Sequence, residues 1–356
     1  MNDVSFPQET RSFLLLHEFP QKKLEKSWRD LLARVDAPSL YEAPEFFLEP
    51  HWAGRCPFAV LALSNHAVTA VLTGVHPRGH VICGLPSRPQ VCVDPSFETS
   101  KSCSALQEGL LLEAGHTKLI DVFAWHFSSL HDLEQKGFRT TPAAANIVLD
   151  LTRGADALFD KFDKARKGAI RSAIKNGIQV SQATTDDDTA AYYEVFKSWT
   201  RTKRKKIHAS LSFDVAKEIQ KLQGTHRQFL ARYRGKVIAA STVRFYPGGL
   251  IEYSSNCSLD EFITLRPNDL LLWKTIEWAY AQGFKRYSLG AAHPFLRKFG
   301  GTPVPTDRYR LDRTLFRRHQ MVDFVVDVGR TFLRNTPAPL ATMVRKALGR
   351  KIGNHL

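Results

Sequence analysis

The sequence has few of the residues from which a disulfide framework, a zinc site or a covalent nucleophile is built. Five cysteines occur among the 356 residues, and no two of them form a CxxC pair. Because that number is odd and the spacing is wrong, we expect neither disulfides nor structural zinc, and a reducing compartment fits best. The GxSxG motif is absent and the histidines are scattered, so no Ser-His-Asp or Cys-His set is indicated.

Hydrophobic runs are also short, and none approaches the ~18 apolar residues that a membrane-spanning helix needs. The first residues, MNDVSFPQETR, lack the basic and apolar regions of a signal peptide. These absences predict a cytoplasmic protein.

Acidic residues are outnumbered, with 35 Asp and Glu against 50 Lys and Arg, which gives a formal net charge of +15. The 43% hydrophobic and 24% charged fractions are typical of a soluble globular protein. A surface this basic attracts anions such as nucleic acid, nucleotide phosphates or acidic lipid. The plainer interpretation is a basic surface that is simply solvated.

The region from Arg227 to Gly301 has the clearest pattern. β-Branched and aromatic runs bounded by glycine and proline predict three strands, a helix and a further strand. Asn268 is expected to cap the helix, which ends near Gly283. The strands are expected at Arg227–Tyr233, Val237–Tyr246, Leu250–Asn256 and Lys285–Leu289.

The segment before it predicts a basic amphipathic helix over residues 155–175, broken near Gly168. Thr185 and Asp188 then have the spacing of a capping box at the start of the next helix. Basic residues at three- and four-residue spacing share one face of the 155–175 helix, namely Lys164, Lys167, Arg171 and Lys175. The opposite, apolar stripe consists of Ala169, Ile170, Ala173 and Ile174.

The first 149 residues repeat the same order of elements. Strands are expected at 58–63, 67–75, 80–85 and 119–125, a helix at 104–114, a short helix at 128–136 and a strand at 146–151. The repetition indicates a duplicated fold whose first copy is degenerate. The alternative is a single α+β domain with a long N-terminal extension.

The order of several short motifs resembles the FemAB-like branch of the GNAT acyltransferase superfamily, which includes peptidoglycan bridge-forming aminoacyltransferases. The basic helix around residues 165–177 is similar to one in that family, and the likeness covers roughly Asn146 to Thr314. The motifs are Glu252-Tyr253, Pro267 with Leu270 to Trp273, Trp278-Ala279 through Gly283-Phe284 to Tyr287-Ser288-Leu289-Gly290, and Phe299-Gly300-Gly301.

The resemblance implies an α+β fold with mixed sheets in tandem GNAT-like domains. Residues 1–149 form the degenerate copy, residues 150–314 form the acyltransferase domain, and residues 315–356 form a basic helical tail. GNAT-type folds splay two central strands and expose backbone groups to the acyl donor, so no covalent enzyme intermediate is needed.

The resemblance also bears on the donor. A CoA-using GNAT protein cradles pyrophosphate in a glycine-rich loop at a helix N-terminus. Here the equivalent residues, Leu265 to Leu270, contain no glycine, and Pro267 lacks an amide donor. No firm cofactor is therefore expected. Acyl-CoA is disfavoured, and an aminoacyl-tRNA donor fits both the family and the basic patches.

Three residues are predicted to act in catalysis. Tyr253 can donate to a developing oxyanion or relay a proton, although a half-buried strand tyrosine is an equally good interpretation. The segment from Phe295 to Gly301 resembles the family's Phe/Tyr-Lys-x-x-Phe-Gly motif, but the family's lysine falls on Leu296. Arg297 or Lys298 is therefore expected to supply the cation.

Six further residues are predicted to bind substrate. Arg166 and Arg171 can grip a nucleotide or a lipid diphosphate. Arg266 and Asn268 stand at a helix N-terminus, where phosphate or carboxylate binds well. Trp273 can stack on a base or a sugar, with core packing as the alternative. Phe299 belongs to the motif that closes the site.

The tail combines eight basic residues with two acidic ones, and its apolar face is formed by Met321, Phe324, Val325, Val328 and Phe332. These residues predict an amphipathic helix that ends at the prolines at 337 and 339. A short second helix is expected over 342–348. Packing on the catalytic body is the favoured interpretation, and contact with an anionic membrane surface, at the inner face, is the alternative.

Three functions remain open at this point. The first is transfer of an aminoacyl or acyl group to an amine of a cell-envelope precursor, on a peptidoglycan stem or an exopolysaccharide amino sugar. The second is acyl-CoA-dependent N-acetyltransfer without the usual loop. The third is a non-enzymatic basic module that binds RNA or membrane.

Overall fold

Two mixed sheets with helices packed against them confirm the predicted α+β fold. No helix in the part of the chain that is described has the length and apolar character to cross a bilayer. The computed structural model describes residues 12–52, 54–85, 88, 91–97, 99–125, 130–203 and 212–325.

The first sheet follows the strand order β1-β2-β3-β4-β6-β15-β7, and β5 pairs with β3 beside this path. Its strands are β1 Phe13–Leu16, β2 Pro57–Ser64, β3 Ala67–Val75, β4 His80–Cys83, β5 Val91–Val93, β6 Leu119–Trp125, β7 Arg139–Pro142 and β15 Thr306–Asp312.

The second sheet follows the order β14-β8-β13-β12-β11-β10-β9. Its strands are β8 Asn146–Asp150, β9 Gln179–Gln182, β10 His226–Tyr233, β11 Lys236–Phe245, β12 Leu250–Ser258, β13 Arg286–Ala291 and β14 Thr302–Val304.

Within the described residues, eight bounded α-helices connect or cover these strands, and residues 318–325 of the tail are also helical. The eight are α1 Lys22–Arg34, α2 Thr99–Ala114, α3 Ala155–Lys161, α4 Lys164–Lys175, α5 Asp186–Thr202, α6 Phe213–Lys221, α7 Pro267–Ala281 and α8 Pro294–Arg297. Single 3₁₀ turns occur at Leu40–Glu42, Pro44–Leu48, Pro50–Trp52, His131–Lys136, Leu151–Arg153, Asp260–Leu265 and Leu315–Arg317.

The two sheets have the same topology. In each, three antiparallel strands lead into a helix that crosses to a fourth strand, parallel to the third: β2-β3-β4, α2 and β6 in the first, and β10-β11-β12, α7 and β13 in the second. This correspondence is the duplicated order that the sequence predicts, with right-handed crossovers as the expected geometry.

The sheets exchange strands at both predicted domain boundaries. Four of the five residues of Asn146–Asp150 fall in the predicted first domain, 1–149, yet the strand pairs with β13 and β14 of the second sheet. Thr306–Asp312 lies before residue 314, yet it sits between β6 and β7 of the first sheet. Each half is therefore completed by residues from beyond the boundary that the sequence suggests.

Helix α7 is buried in the core beside the second sheet. It is apolar on nearly every side, with Leu270, Leu271, Leu272 and Trp273 buried in succession. A helix of this kind is buried rather than amphipathic. It fills one face of the second sheet together with α4, while α5 and α6 cover the other face around Tyr192 and Phe196.

Three local predictions need correction. The 155–175 helix breaks at Phe162 and Asp163 rather than near Gly168, because the Asp163 carboxylate accepts from Ala165 N at 2.7 Å and starts α4 afresh. The cap of α7 is Arg266, not Asn268. Ile174, predicted in the buried stripe of α4, is 53% exposed.

The capping box of α5 is confirmed. The Thr185 hydroxyl accepts from Asp188 N at 3.1 Å, and the Asp188 carboxylate accepts from Thr185 N in return. The basic residues 204–206 that follow α5 lie outside the described residues.

The described part of the tail does not pack as the favoured interpretation expects. Six of the large apolar side chains between residues 315 and 325 are more than half exposed, namely Leu315, Phe316, Met321, Val322, Phe324 and Val325. Polar groups of the tail do reach the first sheet: the Asp323 carboxylate accepts from Arg308 at 2.6 Å and Arg310 at 2.7 Å, and the amides of His319 and Gln320 donate to the Asp312 carboxylate at 2.8 and 3.1 Å. The predicted helix at 342–348, and the apolar residues Val328 and Phe332, lie outside the described residues.

We predict that Tyr309→Ala destabilises the first half of the protein. Tyr309 lies on the exchanged strand β15 and is 2% exposed within the first core. Removing a buried aromatic ring costs about 3–5 kcal/mol of unfolding free energy. Urea unfolding measures the loss. Tyr280→Ala is the matched control, because Tyr280 is 45% exposed and its removal should change the unfolding free energy by about 0.5 kcal/mol or less.

Candidate active site

The parallel ladder at the centre of the second sheet is unusually short. Strands β12 and β13 pair only through Leu250↔Arg286, Ile251↔Tyr287 and Glu252↔Ser288. Beyond that last pair, β12 continues for six residues to Ser258 and β13 for three residues to Ala291 without pairing to each other. The sheet therefore opens into a wedge between the two strands, as the resemblance implied.

Bulges on the outer sides of both strands account for this opening. Ser254 has no partner on β11, because the register shifts between Thr242↔Ser255 and Val243↔Tyr253. Leu289 likewise has no partner on β8. A bulge bends its strand and interrupts the ladder. Two bulges placed just past the Glu252↔Ser288 pair turn the strands apart and free backbone groups at the wedge.

No such wedge is seen among the described residues of the first sheet. Strand β4 is only four residues long, and all of it, from His80 to Cys83, pairs with β6. The site therefore lies in the second sheet, and the first copy contributes to it only from outside.

A pocket of about 170 Å³ opens against the bulged part of β12. Helix α5 and helix α6 form one wall with aromatic and aliphatic side chains. Ser254, Ser255 and Thr242 line the pocket from the sheet. His51 and Arg88 of the first half line it together with Arg244 of β11. The pocket is lined by polar groups that converge from both halves, which is typical of a ligand site.

A buried cluster of charges holds the two halves together beside this pocket. Glu49, from the first half, lies 3.0 Å from Arg244 Nε and 3.2 Å from His226 Nε2, both on the second sheet. Arg244 also donates to the Tyr41 hydroxyl at 2.8 Å. Buried charges are tolerated only when they are paired in this way.

A second ion pair joins the halves at the mouth of the wedge. Arg88 Nε donates to Glu252 Oε1, and the Arg88 guanidinium lies over the Tyr41 ring at 5.4 Å. Glu252 is 6% exposed and is the last residue of β12 that pairs with β13. The end of the ladder is thus fixed from the first half of the chain.

The cluster sets the protonation of its members. Burial opposes ionisation of Glu49, but Arg244 and the hydrogen bonds from His226 and His51 outweigh it and hold the pKa of Glu49 well below its ordinary value. Burial lowers the pKa of His226 and of His51 below the ordinary value of 6.5. Near neutral pH the cluster therefore holds an ionised glutamate beside two neutral imidazoles.

Two protein-family models match parts of this chain. Residues 161–297 match the model of an acetyltransferase (GNAT) domain, and residues 90–213 match the FemAB family. The chain is therefore similar to the FemAB-like branch of the GNAT superfamily over these residues. It is an acyltransferase, as the sequence predicted. No curated protein matches the sequence.

Solved structures share the fold of this FemAB-like protein at low identity. The crystal structure of FemX is 11% identical, with a TM-score of 0.64 over 87% of this chain and 99% of that one. The C-terminal domain of a putative lysylphosphatidylglycerol synthetase from Agrobacterium fabrum is 12% identical, with a TM-score of 0.60 over 85% and 96%. A tandem GNAT protein from the clavulanic acid biosynthesis pathway is 14% identical, with a TM-score of 0.56 over 85% and 98%.

At the start of α7, this FemAB-like protein places its own acidic group where a CoA-using GNAT protein binds pyrophosphate. Asp269, 3% exposed, lies in the first turn of the helix and accepts from Arg166 Nη1 at 2.6 Å. Asn268 donates to Ser258 Oγ at 3.0 Å, and Arg266 is exposed in the left-handed region. Burial raises the pKa of Asp269 while Arg166 opposes that rise.

Tyr253 stands on β12 at the wedge, directly after the last paired residue. It is partly buried, and its hydroxyl accepts a hydrogen bond from the Asn256 amide. Burial raises the pKa of Tyr253, so the hydroxyl keeps its proton near neutral pH. It can donate to an oxyanion, as predicted, but it is a poor base.

Arg297 and Lys298 are exposed at the end of α8, and within the described residues no ion pair is recorded for either. The glycines that follow explain why the segment comes close to β8. Gly300 has a φ of +72°, and a Cβ at Gly301 would lie 2.5 Å from Ile147. The segment that follows the two cations is therefore held against β8 by backbone packing that only glycine permits.

Trp273 and Phe299 belong to the core. Trp273 is 7% exposed and packs against Phe159 and Phe162, and Phe299 is fully buried between Phe162 and Phe295. Neither ring presents a face to the pocket. Arg166 lies over Phe295 at 5.1 Å, whereas Arg171 is exposed and lies over Phe159 at 5.8 Å.

Sequence reasoning missed the groups that the first half contributes. Glu49, His51 and Arg88 lie in irregular segments with no periodic pattern, far in sequence from the second sheet. Arg244 and His226 stand in strands and read as ordinary strand residues. The one available signal was an arginine inside the otherwise apolar run of β11, since a buried charge requires a partner.

We predict that Glu49→Gln destabilises the protein at pH 7 by about 3–5 kcal/mol, because Arg244 is left buried without its counter-charge. The depressed pKa of Glu49 means that the stabilisation is present above the ordinary pKa of ~4.3 and is lost as pH falls through the folded-state pKa. Urea unfolding from pH 7 to pH 3 should therefore show the two proteins converging in acid.

The control is Glu261→Gln, which removes a carboxylate from an exposed pair with Lys236. It should change the unfolding free energy by less than about 1 kcal/mol at every pH. A Glu49→Gln protein as stable as the wild type at pH 7 would contradict the role given to this cluster.

Proposed function

We propose that this protein transfers an aminoacyl group from an activated ester to an amine of a cell-envelope precursor. The observation that carries the proposal is the wedge between β12 and β13 beside a pocket that both halves of the chain close. Bulged backbone at Ser254 supplies donors for the oxyanion that forms when an amine attacks a carbonyl. The wedge holds the acyl carbonyl, and the pocket holds the amine.

The start of α7 argues against CoA as the donor. Pyrophosphate binding at a helix N-terminus requires free amides and a positive field. Here Pro267 has no amide hydrogen and the buried Asp269 carboxylate places its own charge in the first turn. Arg166 is already paired with Asp269 there, so it is not free to bind a second anion. An aminoacyl-tRNA needs no such cradle, and exposed cations such as Arg171, Arg297 and Lys298 suit its phosphates.

The pocket favours a compact polar acceptor. Its charged members are balanced, because Arg88 pairs with Glu252 and Arg244 pairs with Glu49. Hydroxyl groups on Tyr192, Thr242 and Ser255 form a connected chain with separations of 3.1 and 3.2 Å. The balance disfavours a highly charged ligand and suits the neutral amine and hydroxyls of an amino sugar or of a stem-peptide side chain.

The decisive experiment offers three donors to the purified protein. Radiolabelled aminoacyl-tRNAs, acetyl-CoA and free amino acid with ATP are each incubated with glucosamine or with a lysine-containing stem pentapeptide. Transfer from aminoacyl-tRNA is expected, because the cradle for pyrophosphate is missing. Transfer from acetyl-CoA alone would overturn the donor, and salt-sensitive tRNA binding without any transfer would favour a non-enzymatic module.

We predict that Arg297→Ala combined with Lys298→Ala abolishes transfer, because the two exposed cations beside the wedge neutralise the donor's phosphates. The matched control is Arg234→Ala with Lys236→Ala, which removes one arginine and one lysine from the β10–β11 turn. Initial rates measured across a salt series distinguish the two. Unchanged turnover in the Arg297 and Lys298 protein would defeat this assignment.

We further propose that the residues after β15 bring the enzyme to an anionic membrane surface, where lipid-linked envelope precursors are found. Leu315 and Phe316 are 80% and 79% exposed, and Met321, Phe324 and Val325 are 59–65% exposed. Eight lysines and arginines against two acidic residues make residues 315–356 complementary to acidic lipid.

We predict that the protein sediments with vesicles of phosphatidylglycerol and phosphatidylcholine but not with phosphatidylcholine alone, since both charge and apolar contact are needed. Phe316→Glu with Phe324→Glu should abolish this binding. The control is Leu112→Glu with Ile263→Glu, two exposed apolar residues elsewhere on the surface. Equal loss of binding in the control would show that the apolar segment is not the contact.

A further inference from the structure

One imidazole in the pocket is held in the manner of a catalytic base. His51 lies in the 3₁₀ turn Pro50–Trp52 of the first half and lines the pocket that Ser254 and Ser255 also line. Its Nδ1 lies 2.5 Å from Glu49 Oε1, and its side chain is 17% exposed. Since the ionised carboxylate can only accept, Nδ1 carries the proton and Nε2 keeps its lone pair.

The surroundings keep that imidazole neutral. Glu49 faces it from its own segment and Arg88 from the loop before β5, while Arg244 Nη2 on β11 lies 3.2 Å from Nδ1 and 3.4 Å from Nε2. Because a guanidinium only donates, Nε2 accepts from Arg244 at the long end of hydrogen-bond distance, and the acceptor amine must displace that bond to reach Nε2. Burial lowers the pKa of His51, the two guanidinium groups lower it further, and Glu49 opposes them. A neutral imidazole near physiological pH is able to accept a proton.

The described residues offer few rivals for this role. His226 also bonds Glu49, but it is 2% exposed and does not line the pocket. Tyr253 keeps its proton, and Glu252 is paired with Arg88. Asp269 is paired with Arg166 on the opposite side of the second sheet, where α4 and α7 pack.

We propose that His51 is the base that deprotonates the acceptor amine in the transfer reaction. This inference rests on the proposed function. His51 Nε2 takes one proton from the acceptor ammonium, and the freed lone pair attacks the acyl carbon of the ester. A C–N bond forms and the C–O bond to the donor breaks. The nitrogen gives up two protons in all, of which one leaves with the departing hydroxyl and the other passes to solvent.

Glu49 contacts both the imidazole of His51 and the other members of the buried charge cluster. Its Oε1 orients His51, while its Oε2 contacts Arg244 and His226. Glu49 is a positioning residue, because it acts on the reaction only through the imidazole that it holds. The base is thus supplied by the first half of the chain to a carbonyl held by the second.

The test compares His51→Gln with His76→Gln. His76 is a matched control, because its Nδ1 also lies near a glutamate, Glu113, at 3.0 Å, but it does not line the pocket. With the donor and acceptor that support transfer, His51→Gln should lower kcat/KM by about 10²–10⁴-fold. His76→Gln should leave it unchanged, and imidazole should partly restore activity to His51→Ala.

The pH profile gives a readout that a merely structural role would not move. The wild-type kcat/KM should rise with pH through a limb below the ordinary histidine pKa of 6.5, as neutral His51 accumulates, and this limb should vanish in His51→Gln. An unchanged rate or an unchanged limb in His51→Gln would overturn the proposal.

Histidine NMR separates this inference from the proposed function. The His51 ring, assigned by its loss in His51→Gln, should carry its proton on Nδ1 at pH 7.5 and titrate below pH 6.5. A proton on Nε2 would overturn the proposal even if no transfer assay were active. Conversely, a wild type that transfers nothing with any of the donors offered would defeat the proposed function while leaving the ring's tautomer as measured.

Discussion

The structure depends on where one short ladder ends. Strands β12 and β13 share three residue pairs and then separate, and Glu252 stands in the last pair. Glu252 therefore marks the point where the sheet opens. It also binds Arg88 of the first half, which lines the pocket. Parallel pairing is the weaker kind per residue, so bulges on the outer sides are enough to turn it aside.

The duplicated fold allows one pocket to be lined by residues from both halves of the chain. Both sheets follow the same path of seven strands, but in the first the strand equivalent to β12 is short and fully paired. In the part of the chain that the structure describes, that copy shows no wedge, and it supplies Glu49, His51 and Arg88 to the pocket and the charge cluster beside it. Strands β8 and β15 each pair with the sheet of the other half. These pairings and the buried ion pairs fix the position of one copy relative to the other.

Buried charge is costly unless it is paired, and this protein places its buried charge at the boundary between the halves. A small displacement of one half would leave Arg244 or Glu49 without its partner. The cost of that loss makes the relative position of the halves well defined, and a transfer reaction needs such definition, because an amine and a carbonyl react only when they are held close together. The pairing that stabilises the boundary therefore also prepares the site.

The sequence alone determined the order of elements, the bounds of most strands, the capping box of α5 and the family, because these depend on local periodicity, turn residues and motif order. By resemblance it named Tyr253, Arg297 and Lys298 as catalytic candidates, and these roles stay predictions. Only the tertiary structure decided that Asp269 occupies the start of α7, that Trp273 and Phe299 are core, and that β15 completes the first sheet. It alone joined His51 to the wedge, since residues about 200 positions apart meet through burial and charge pairing, which leave no periodic trace in the chain.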